Sequence, residues 1–276
     1  MTTSTPTPTG VTDAASSITQ APRRNMLRLY VTEARFEFLK LLRLPGYSVS
    51  VLAFPVMFYV LFGALFGGYA VQGISAAKYM VVGYSAAGVL AASLFGFGVG
   101  VASERGQGWL RLKRVSPMPP LAYFFAKVVM ALLFSTIVVV VLTALGAWLQ
   151  GVRFEVGAWL RMYGALMLGV FPFASLGLAF GYLFGPNSAP MVLNLVYTPA
   201  AFASGLWIPL TVMPPVLQRV AEFLPTYHFA QFALSQAGAE PVGSGLTHVL
   251  VLAVTTAVCL ALAVWAYFRD EGKTYG

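Results

Sequence analysis

Charged residues are scarce in this sequence, since Asp, Glu, Lys and Arg make up only 9% of its 276 residues. An ordinary soluble domain carries about a quarter charged residues, so the composition argues against a soluble protein. The few charges are segregated and leave long apolar runs between them. A helix of about 20 residues crosses a hydrocarbon core of about 30 Å. The sequence therefore predicts an all-α polytopic membrane protein.

Cysteine and histidine are almost absent, with one cysteine, Cys259, and two histidines, His228 and His248. A single cysteine cannot form an internal disulfide, and the chain has no paired cysteines, HExxH or GxSxG motif. Gly272-Lys273-Thr274 resembles the end of a phosphate-binding loop, but Tyr267 stands where that loop requires glycine. We therefore expect no catalytic residue, metal or cofactor in this chain, and any nucleotide chemistry in another polypeptide.

Six apolar runs predict six transmembrane helices. They lie at about residues 47–67, 79–101, 121–148, 159–183, 190–209 and 247–267. Most Lys and Arg residues near the ends of these runs lie before the first, between the second and third, or after the sixth. The positive-inside rule then places both termini in the cytoplasm and the chain in the inner or plasma membrane. The net charge of +8 therefore indicates membrane topology rather than nucleic-acid binding.

The six-helix domain is predicted to cover residues 24–270. Residues 1–23 are rich in Thr, Ser, Pro and Ala and lack the basic and apolar regions of a signal peptide. We expect them to form a disordered cytoplasmic tail, because they have too little apolar surface to offset the entropy of ordering. Residues 271–276 would form a second cytoplasmic tail.

Lys127 lies inside the third apolar run, about two helical turns after Pro120. A lysine at the bilayer centre costs about 2.5–3.5 kcal/mol. Its long aliphatic stem can carry the ammonium group to the headgroups, and we expect this arrangement. A role in a conduction path is the alternative.

Residues 24–44 predict an amphipathic helix on the inner membrane surface. Its apolar stripe and its polar positions recur at helical spacing. The stripe comprises Leu27, Tyr30, Ala34, Phe38 and Leu41, and the residues off it include Arg28, Arg35, Glu37 and Lys40. Between the last two spans, prolines divide an apolar segment into pieces too short to span, which predicts two short re-entrant or interfacial helices at about 216–224 and 226–236.

Small and polar residues recur along the second and fifth spans. Helices in lipid associate through such small residues, and an intramembrane asparagine usually faces protein or a cavity. Packing and pathway lining are both open interpretations. The candidate residues are Ser85, Gly88, Ala92, Phe95, Gly96, Asn187, Met191, Asn194, Thr198 and Phe202.

Four segments give the chain a resemblance to a known family. They are FEFLKLLRLPGY, ERGQGWLRLKRVSPMPP, GPNSAP and SGLWIPLTVMPPVLQRVAEFLPTYHFAQ. Their order and spacing resemble the permease subunits of type-2 ATP-binding-cassette exporters, also called G-type or type V. The resemblance covers about residues 24–270. Among these permeases, the chain is similar to bacterial drug-resistance and nodulation-factor exporter permeases.

The resemblance implies a coupling helix in the connection after the second span, which docks on the ATPase subunit. Glu104 near its start and the basic residues near its end would complement the helix dipole. The alternative is a basic loop that binds only anionic lipid. The matching residues are Ser103, Glu104, Arg105, Gly108, Trp109, Arg111, Lys113 and Arg114.

The resemblance also implies a pair of permease subunits, expected to be identical, and two ABC ATPase subunits that bind ATP and Mg²⁺. Spans two and five of both permeases would face a central pathway, surrounded by membrane lipid. Its apolar and aromatic lining favours export of a drug-like or lipid-like amphiphile. A lipid-linked saccharide is the alternative cargo, and a non-transporting six-helix scaffold or an uncoupled channel is an alternative class.

Overall fold

A computed structural model describes residues 26–66, 68–110 and 119–270, and most of these residues are helical. The principal helices are α1 (Met26–Leu42), α2 (Pro45–Phe66), α3 (Ala76–Gly106), α4 (Pro120–Gln150), α5 (Val156–Leu168), α6 (Val170–Leu183), α7 (Ala189–Ala203), α8 (Pro215–Ala221), α9 (Pro225–Gln236) and α10 (Gly245–Asp270). A small hairpin of β1 (Ala70–Val71) and β2 (Ile74–Ser75) joins α2 to α3. The prediction of an all-α polytopic protein is confirmed.

Among the described residues, five helical stretches are long and apolar enough to cross a membrane. They are α2, α3, α4, the continuous stretch of α5 and α6, and α10. The predicted fifth span corresponds to the shorter apolar helix α7. It ends at Ala203 rather than near residue 209, because Gly205 adopts a left-handed conformation with φ of 76°.

The predicted fourth span is one stretch with a break at Gly169. Pro172 lies in the first turn of α6 and has no amide hydrogen to donate to the preceding turn. The ring of Phe229 on α9 packs against Gly169 so closely that a Cβ there would lie 2.1 Å from a ring carbon. The break therefore gives α9 its contact with the bundle.

α3 is the central helix, and most of its side chains are buried. It packs against α6 through glycine on both sides: a Cβ on Gly177 would lie 2.5 Å from the carbonyl oxygen of Leu94, and one on Gly98 would lie 3.2 Å from the carbonyl oxygen of Gly177. Small residues let two helix backbones approach in this way where lipid gives no hydrophobic drive. This close contact fixes α3 against α6.

The predicted amphipathic helix is present as α1, but one of its polar positions faces inward. Ala34, Glu37 and Leu41 are buried, whereas Leu27, predicted on the apolar stripe, is exposed. Phe38 packs on Phe134 of α4 with ring centroids 5.2 Å apart. Thus α1 packs against α4, and the reason for burying Glu37 is an ion pair described below.

The two short helices expected between the last spans are present as α8 and α9. Each begins at a proline, Pro215 or Pro225, whose missing amide hydrogen costs nothing at a helix start. α9 buries Phe229 and Ala233 against its neighbours, and it packs on α3, α5 and α10. Their depth in the membrane stays a prediction.

Candidate functional site

A groove with a volume of about 1210 Å³ runs along one face of α3. α2 and α7 form its walls, and α3 lines it from Ala91 to Gln107, a rise of about 24 Å for a straight helix. That length is comparable to the hydrocarbon thickness of a bilayer. The groove therefore extends through most of the depth of the bundle.

Aromatic rings close one end of the groove. Phe54 and Tyr197 contact the indole of Trp207 with ring centroids 5.5 and 6.0 Å apart, and Phe95 packs on Tyr197 at 5.5 Å. The backbone of Trp207 is fixed because its carbonyl accepts a hydrogen bond from the Tyr84 hydroxyl at 3.1 Å. These rings give the groove a large apolar surface with a defined shape.

Two polar residues of α7 lie on the groove wall. Asn194 and Thr198 are exposed and line it about one helical turn apart. The Asn194 side-chain amide donates a hydrogen bond to the Pro190 carbonyl at 3.0 Å, which orients the side chain along α7. A largely apolar site with a few placed polar groups is typical of small-molecule binding.

A cluster of four charged side chains lies at the other end of the groove, where Lys40 and Glu104 form part of its lining. The Lys127 ammonium contacts Glu37 at 2.7 Å and Glu104 at 3.2 Å, and Lys40 binds the same two carboxylates. The Tyr123 hydroxyl donates to Glu104 at 2.7 Å. Two cations and two anions make the cluster neutral, and it joins α1, α3 and α4.

The charged cluster changes the ionisation of its α1 members. Burial disfavours a charged Glu37, but the Lys127 and Lys40 ammonium groups outweigh it and lower the pKa of Glu37 below its usual value. Burial also disfavours a charged Lys40, but the Glu104 and Glu37 carboxylates outweigh it and raise the pKa of Lys40. Both groups are therefore charged at neutral pH.

Lys127 does not reach the headgroups, so the expected snorkelling is wrong. Its side chain is 0% exposed, because the carboxylates of Glu37 and Glu104 meet it inside the protein. Gly100 on α3 makes room for it: a Cβ at Gly100 would lie 3.2 Å from the Lys127 Nζ. A charged lysine inside an apolar run is costly unless it is paired, so Lys127 itself was the sequence signal for a buried carboxylate partner.

The predicted pathway residues separate into three groups. Along α3, Ser85, Gly88 and Ala92 are buried within the chain and do not line the groove. A Cβ on Gly88, for example, would lie 2.4 Å from Val138. The predicted residues that line the groove are Phe95, Gly96, Asn194 and Thr198, while Asn187, Met191 and Phe202 are exposed outside it.

The predicted coupling residues also divide. Ser103 and Glu104 lie in the last turn of α3, so Glu104 is near a helix end and not near a helix start as expected. Arg105 is buried and donates hydrogen bonds to the carbonyls of Tyr182 and Phe184, the latter at 2.8 Å. These two carbonyls end α6, so Arg105 holds the end of α3 to the end of α6.

After α3 the chain turns at Gly108, which has φ of 76°, and is helical again at Trp109. The indole of Trp109 is 53% exposed, which leaves it accessible to another protein. Arg111, Lys113 and Arg114 lie outside the described residues.

The sequence did not identify the contribution of α2 to the groove. α2 is uniformly apolar, so its pattern does not distinguish the face that lipid covers from the face that lines a cavity. Phe54 and Met57 therefore gave no signal, although both line the groove.

Residues 28–237 match the family described as ABC-2 type transporter. The chain is 24% identical to the transport permease YvfS of Bacillus subtilis (strain 168) over 197 residues, which cover 71% of this chain and 80% of YvfS. It is 29% identical to the multidrug ABC transporter permease YbhR of Escherichia coli (strain K12) over 176 residues, 62% of this chain and 46% of YbhR. The chain thus spans about half the length of YbhR. The family match covers most of the sequence, and the chain belongs to the ABC-2 type transporter family as a membrane permease.

Proposed function

We propose that the groove receives an amphiphilic, drug-like or lipid-like compound and that the permease exports it at the expense of ATP. The observation that carries this proposal is a cavity of about 1210 Å³ along α3 with aromatic and aliphatic walls. An ABC-2 permease works with an ABC ATPase subunit, and ATP and Mg²⁺ would bind on that subunit. The energy of ATP hydrolysis would reach the groove through the contact between the ATPase and the permease.

The chemistry of the groove favours an amphiphile over a bare ion. Its walls are largely apolar, and the charges at its end already neutralise one another. Asn194 and Thr198 offer hydrogen bonds at mid-length, which suits a compound with a polar group on an apolar body. The name of YbhR, a multidrug permease, supports a drug-like cargo.

A lipid-linked saccharide is the second candidate cargo. Phe54 and Trp207 present aromatic surface to the groove, and such surfaces stack on sugar rings. The groove face of α3 is apolar from Ala91 to Gly100, which fits a lipid chain as well. Competition by a free oligosaccharide would support this cargo over a simple amphiphile.

We propose that a second permease, identical to this chain, closes the open side of the groove. α2 and α7 leave large apolar side chains uncovered beside it, including Met57, Met191 and Leu195 at 56%, 75% and 74% exposed. Contiguous apolar surface next to a cavity fits a subunit interface or lipid contact. Two ATPase subunits would then serve the two permeases, one for each.

Coupling to the ATPase would use the end of α3. Trp109 offers an exposed aromatic contact, while Arg105 and Glu104 tie the helix end to α6, α1 and α4. A force applied at the connection would then move several helices together instead of one. We propose that Glu104 and Arg105 act as positioning residues, and that the partner contacts Gly108, Trp109 and the basic residues beyond.

The cargo proposal is tested with the permease and its ATPase reconstituted in vesicles that contain a fluorescent amphiphile. Asn194→Leu should change the order of preference among amphiphiles without changing ATPase binding, since Asn194 lies on the groove wall. Met191→Leu, on the same helix but outside the groove, is the matched control. Unchanged preference in Asn194→Leu, or loss of subunit association on a native gel, would contradict the proposal.

The coupling proposal is tested by co-purification. Trp109→Ala should reduce recovery of the ATPase subunit, because it removes the exposed indole beside Gly108. Trp148→Ala, which truncates an 81% exposed indole near the end of α4, should leave recovery unchanged. If no ATP hydrolysis co-purifies with the permease from its own membranes, the scaffold interpretation is favoured.

A further inference from the structure

A basic cleft lies on the outer face of α1, outside the groove of the bundle. It has a volume of about 460 Å³, and its lining consists of Arg35, Phe36, Leu39, Lys40 and Arg43. Leu39 lies four residues from each arginine, about one helical turn in either direction. Its half-buried side chain therefore forms an apolar floor between two guanidinium groups.

The cleft faces away from the rest of the chain. α1 buries Ala34, Glu37 and Leu41 against the bundle. At about 100° per residue, the centre of these three positions is almost opposite to the midpoint between Arg35 and Arg43. Both arginines are exposed. The cleft is therefore open to the surroundings of the permease at this level.

The two arginines carry charge that the described part of the chain does not neutralise. Lys40 is bound to Glu37 and Glu104 in the charged cluster. Neither Arg35 nor Arg43 forms an ion pair with a residue that the structure describes. The cleft thus has an excess of positive charge, which an anion would balance.

The positions of two spanning helices place the cleft at the depth of the lipid headgroups. α2 is long and apolar enough to cross a membrane and begins at Pro45, two residues after Arg43. Lys40 binds Glu104 in the last turn of α3. α3 has 31 residues and a length of about 46 Å, so its last turn lies beyond a hydrocarbon core of about 30 Å.

Large apolar side chains lie on both sides of the cleft. Phe36 is 64% exposed and lies beside Arg43 around the helix, while Leu42 is 44% exposed and lies beside Arg35. Exposed cations and exposed apolar side chains on one helix face are typical of a helix in the membrane interface. A lipid offers both kinds of contact, a phosphate to the arginines and acyl chains to the apolar residues.

We propose that this cleft binds the headgroup of an anionic phospholipid, with the phosphate between Arg35 and Arg43 and the acyl chains against Phe36 and Leu42. The two arginines are separated by a rise of about 12 Å, so their long side chains approach one phosphate from opposite ends. A guanidinium group matches a phosphate because its planar fork donates two parallel hydrogen bonds.

The lipid site is separate from the proposed cargo site. The cleft and the groove along α3 have only Lys40 in common among their lining residues. The proposal therefore does not depend on what the permease transports.

A bound lipid would stabilise the position of α1 against the bundle. The face of α1 opposite to the cleft carries Glu37, which pairs with Lys127 on α4. A ligand that binds only the folded protein stabilises it by mass action. Anionic lipid should therefore raise the resistance of the permease to unfolding in SDS.

Native mass spectrometry of the full permease in a neutral detergent tests the proposal. Phosphatidylglycerol is the anionic probe, and phosphatidylcholine, which carries a cation beside the same phosphate, is its comparison. We expect one phosphatidylglycerol to bind about tenfold more tightly than phosphatidylcholine, and less tightly as the salt concentration rises. Equal affinity for the two lipids would overturn the proposal.

Paired substitutions locate the site. Arg35→Gln with Arg43→Gln should weaken phosphatidylglycerol binding about 30-fold, because each basic residue near an anionic lipid surface contributes about 1 kcal/mol, or about fivefold. Arg153→Gln with Arg161→Gln removes the same charge from exposed positions elsewhere and should leave binding unchanged. Equal weakening in both pairs would show unspecific attraction by charge and would overturn the site.

A second pair of variants separates charge from geometry and from misfolding. Arg35→Lys with Arg43→Lys keeps both charges but loses the planar fork, and it should keep part of the affinity for phosphatidylglycerol. Unfolding in SDS checks that each variant is folded. If the double Gln variant does not fold, the single variant Arg43→Gln carries the test, with an expected loss of about fivefold.

Two further measurements distinguish the lipid from other anions. Inorganic phosphate in excess, at matched ionic strength, should not displace phosphatidylglycerol, because it makes no contact with Phe36 and Leu42. Displacement would assign the cleft to a free anion and overturn the lipid site. Arg35→Gln with Arg43→Gln should also recover the ATPase subunit normally. Lost recovery with unchanged lipid binding would assign the cleft to the ATPase instead.

Discussion

Lys127 on α4 and Glu37 on α1 form an ion pair of 2.7 Å in which the lysine side chain is 0% exposed. The pair attaches α1 to α4, which is one of the helices long and apolar enough to cross a membrane. Because Glu104 shares the same ammonium group, the end of α3 belongs to the same contact. The helices around the groove are therefore linked through charges at this end and through aromatic rings at the other.

Replacing Lys127 should destabilise the permease strongly. Lys127→Met leaves two carboxylates, Glu37 and Glu104, with Lys40 as their only cation in the charged cluster, and loss of one partner of a buried pair costs about 3–5 kcal/mol. Unfolding of the permease in mixed micelles with increasing SDS measures the change.

The double variant Lys127→Met with Glu37→Gln is the control for charge. It restores neutrality, because Glu104 keeps Lys40, and it should recover at least half of the lost free energy of unfolding. If the free energy of unfolding lost in the double variant equals the sum of the losses in the two single variants, the two side chains act independently.

Gly100 should tolerate no large side chain. A Cβ would lie 3.2 Å from the Lys127 Nζ, so Gly100→Leu should displace the ammonium group and reduce the free energy of unfolding by about 1–3 kcal/mol. Gly164→Leu, at a site with nothing within 4 Å, should be close to neutral or stabilising. Unfolding in SDS measures the stability of both variants. Equal stability would argue against the role of Gly100 in making room for Lys127.

The charged cluster should make stability depend on pH at both extremes. The pKa of Glu37 is lowered in the folded state, so its contribution is present above its usual value of 4.5 and is lost as pH falls through the lowered value. The pKa of Lys40 is raised, so its contribution is present below 10.5 and is lost at higher pH.

Stability measured from pH 3 to pH 8 checks the acid side of this dependence. Glu37→Gln should remove a large part of the loss below pH 4.5, because it cannot be protonated. Glu222→Gln, at an exposed position directly after α8, is the control and should keep the wild-type profile. An unchanged acid limb in Glu37→Gln would contradict the assignment.

Arg105 should be needed to link α3 to α6 rather than to bind the partner directly. Arg105→Lys keeps the charge but loses the forked grip on the Tyr182 and Phe184 carbonyls, at a cost of about 1.5 kcal/mol or more. We expect less cargo transported for each ATP hydrolysed, with ATPase recovery unchanged. Arg161→Lys, on the exposed surface of α5, is the control, and reduced ATPase recovery in Arg105→Lys would favour direct contact.

Much of the fold could be predicted from the sequence because lipid imposes a simple rule. Every backbone amide in the hydrocarbon must be bonded within its own helix, so long apolar runs identify helices. The position of α1 and the two short helices between α7 and α10 followed in the same way from periodicity and proline positions. The early end of α7 did not follow, because Gly205 alone does not reveal its backbone conformation.

The candidate site was predicted less well, because burial within the bundle depends on which helices meet. Ser85, Gly88 and Ala92 form a stripe that suits a pathway or a packing surface equally, and the sequence does not show that all three are buried within one chain. Glu104 and Arg105 read as surface charges, yet both lie against other helices, where cations and carbonyl groups meet them.

The sequence by itself determined that this chain is a multi-pass helical membrane protein, since scarcity of charge and the spacing of its apolar runs reflect the thickness and polarity of the bilayer. Only the tertiary structure decided that Lys127 is buried with Glu37, that α2, α3 and α7 enclose a groove, and that His228 meets His248. These pairs are 90 and 20 residues apart, and a hydrogen bond depends on distances of a few tenths of an ångström. Helix packing sets those distances, and local periodicity does not encode them.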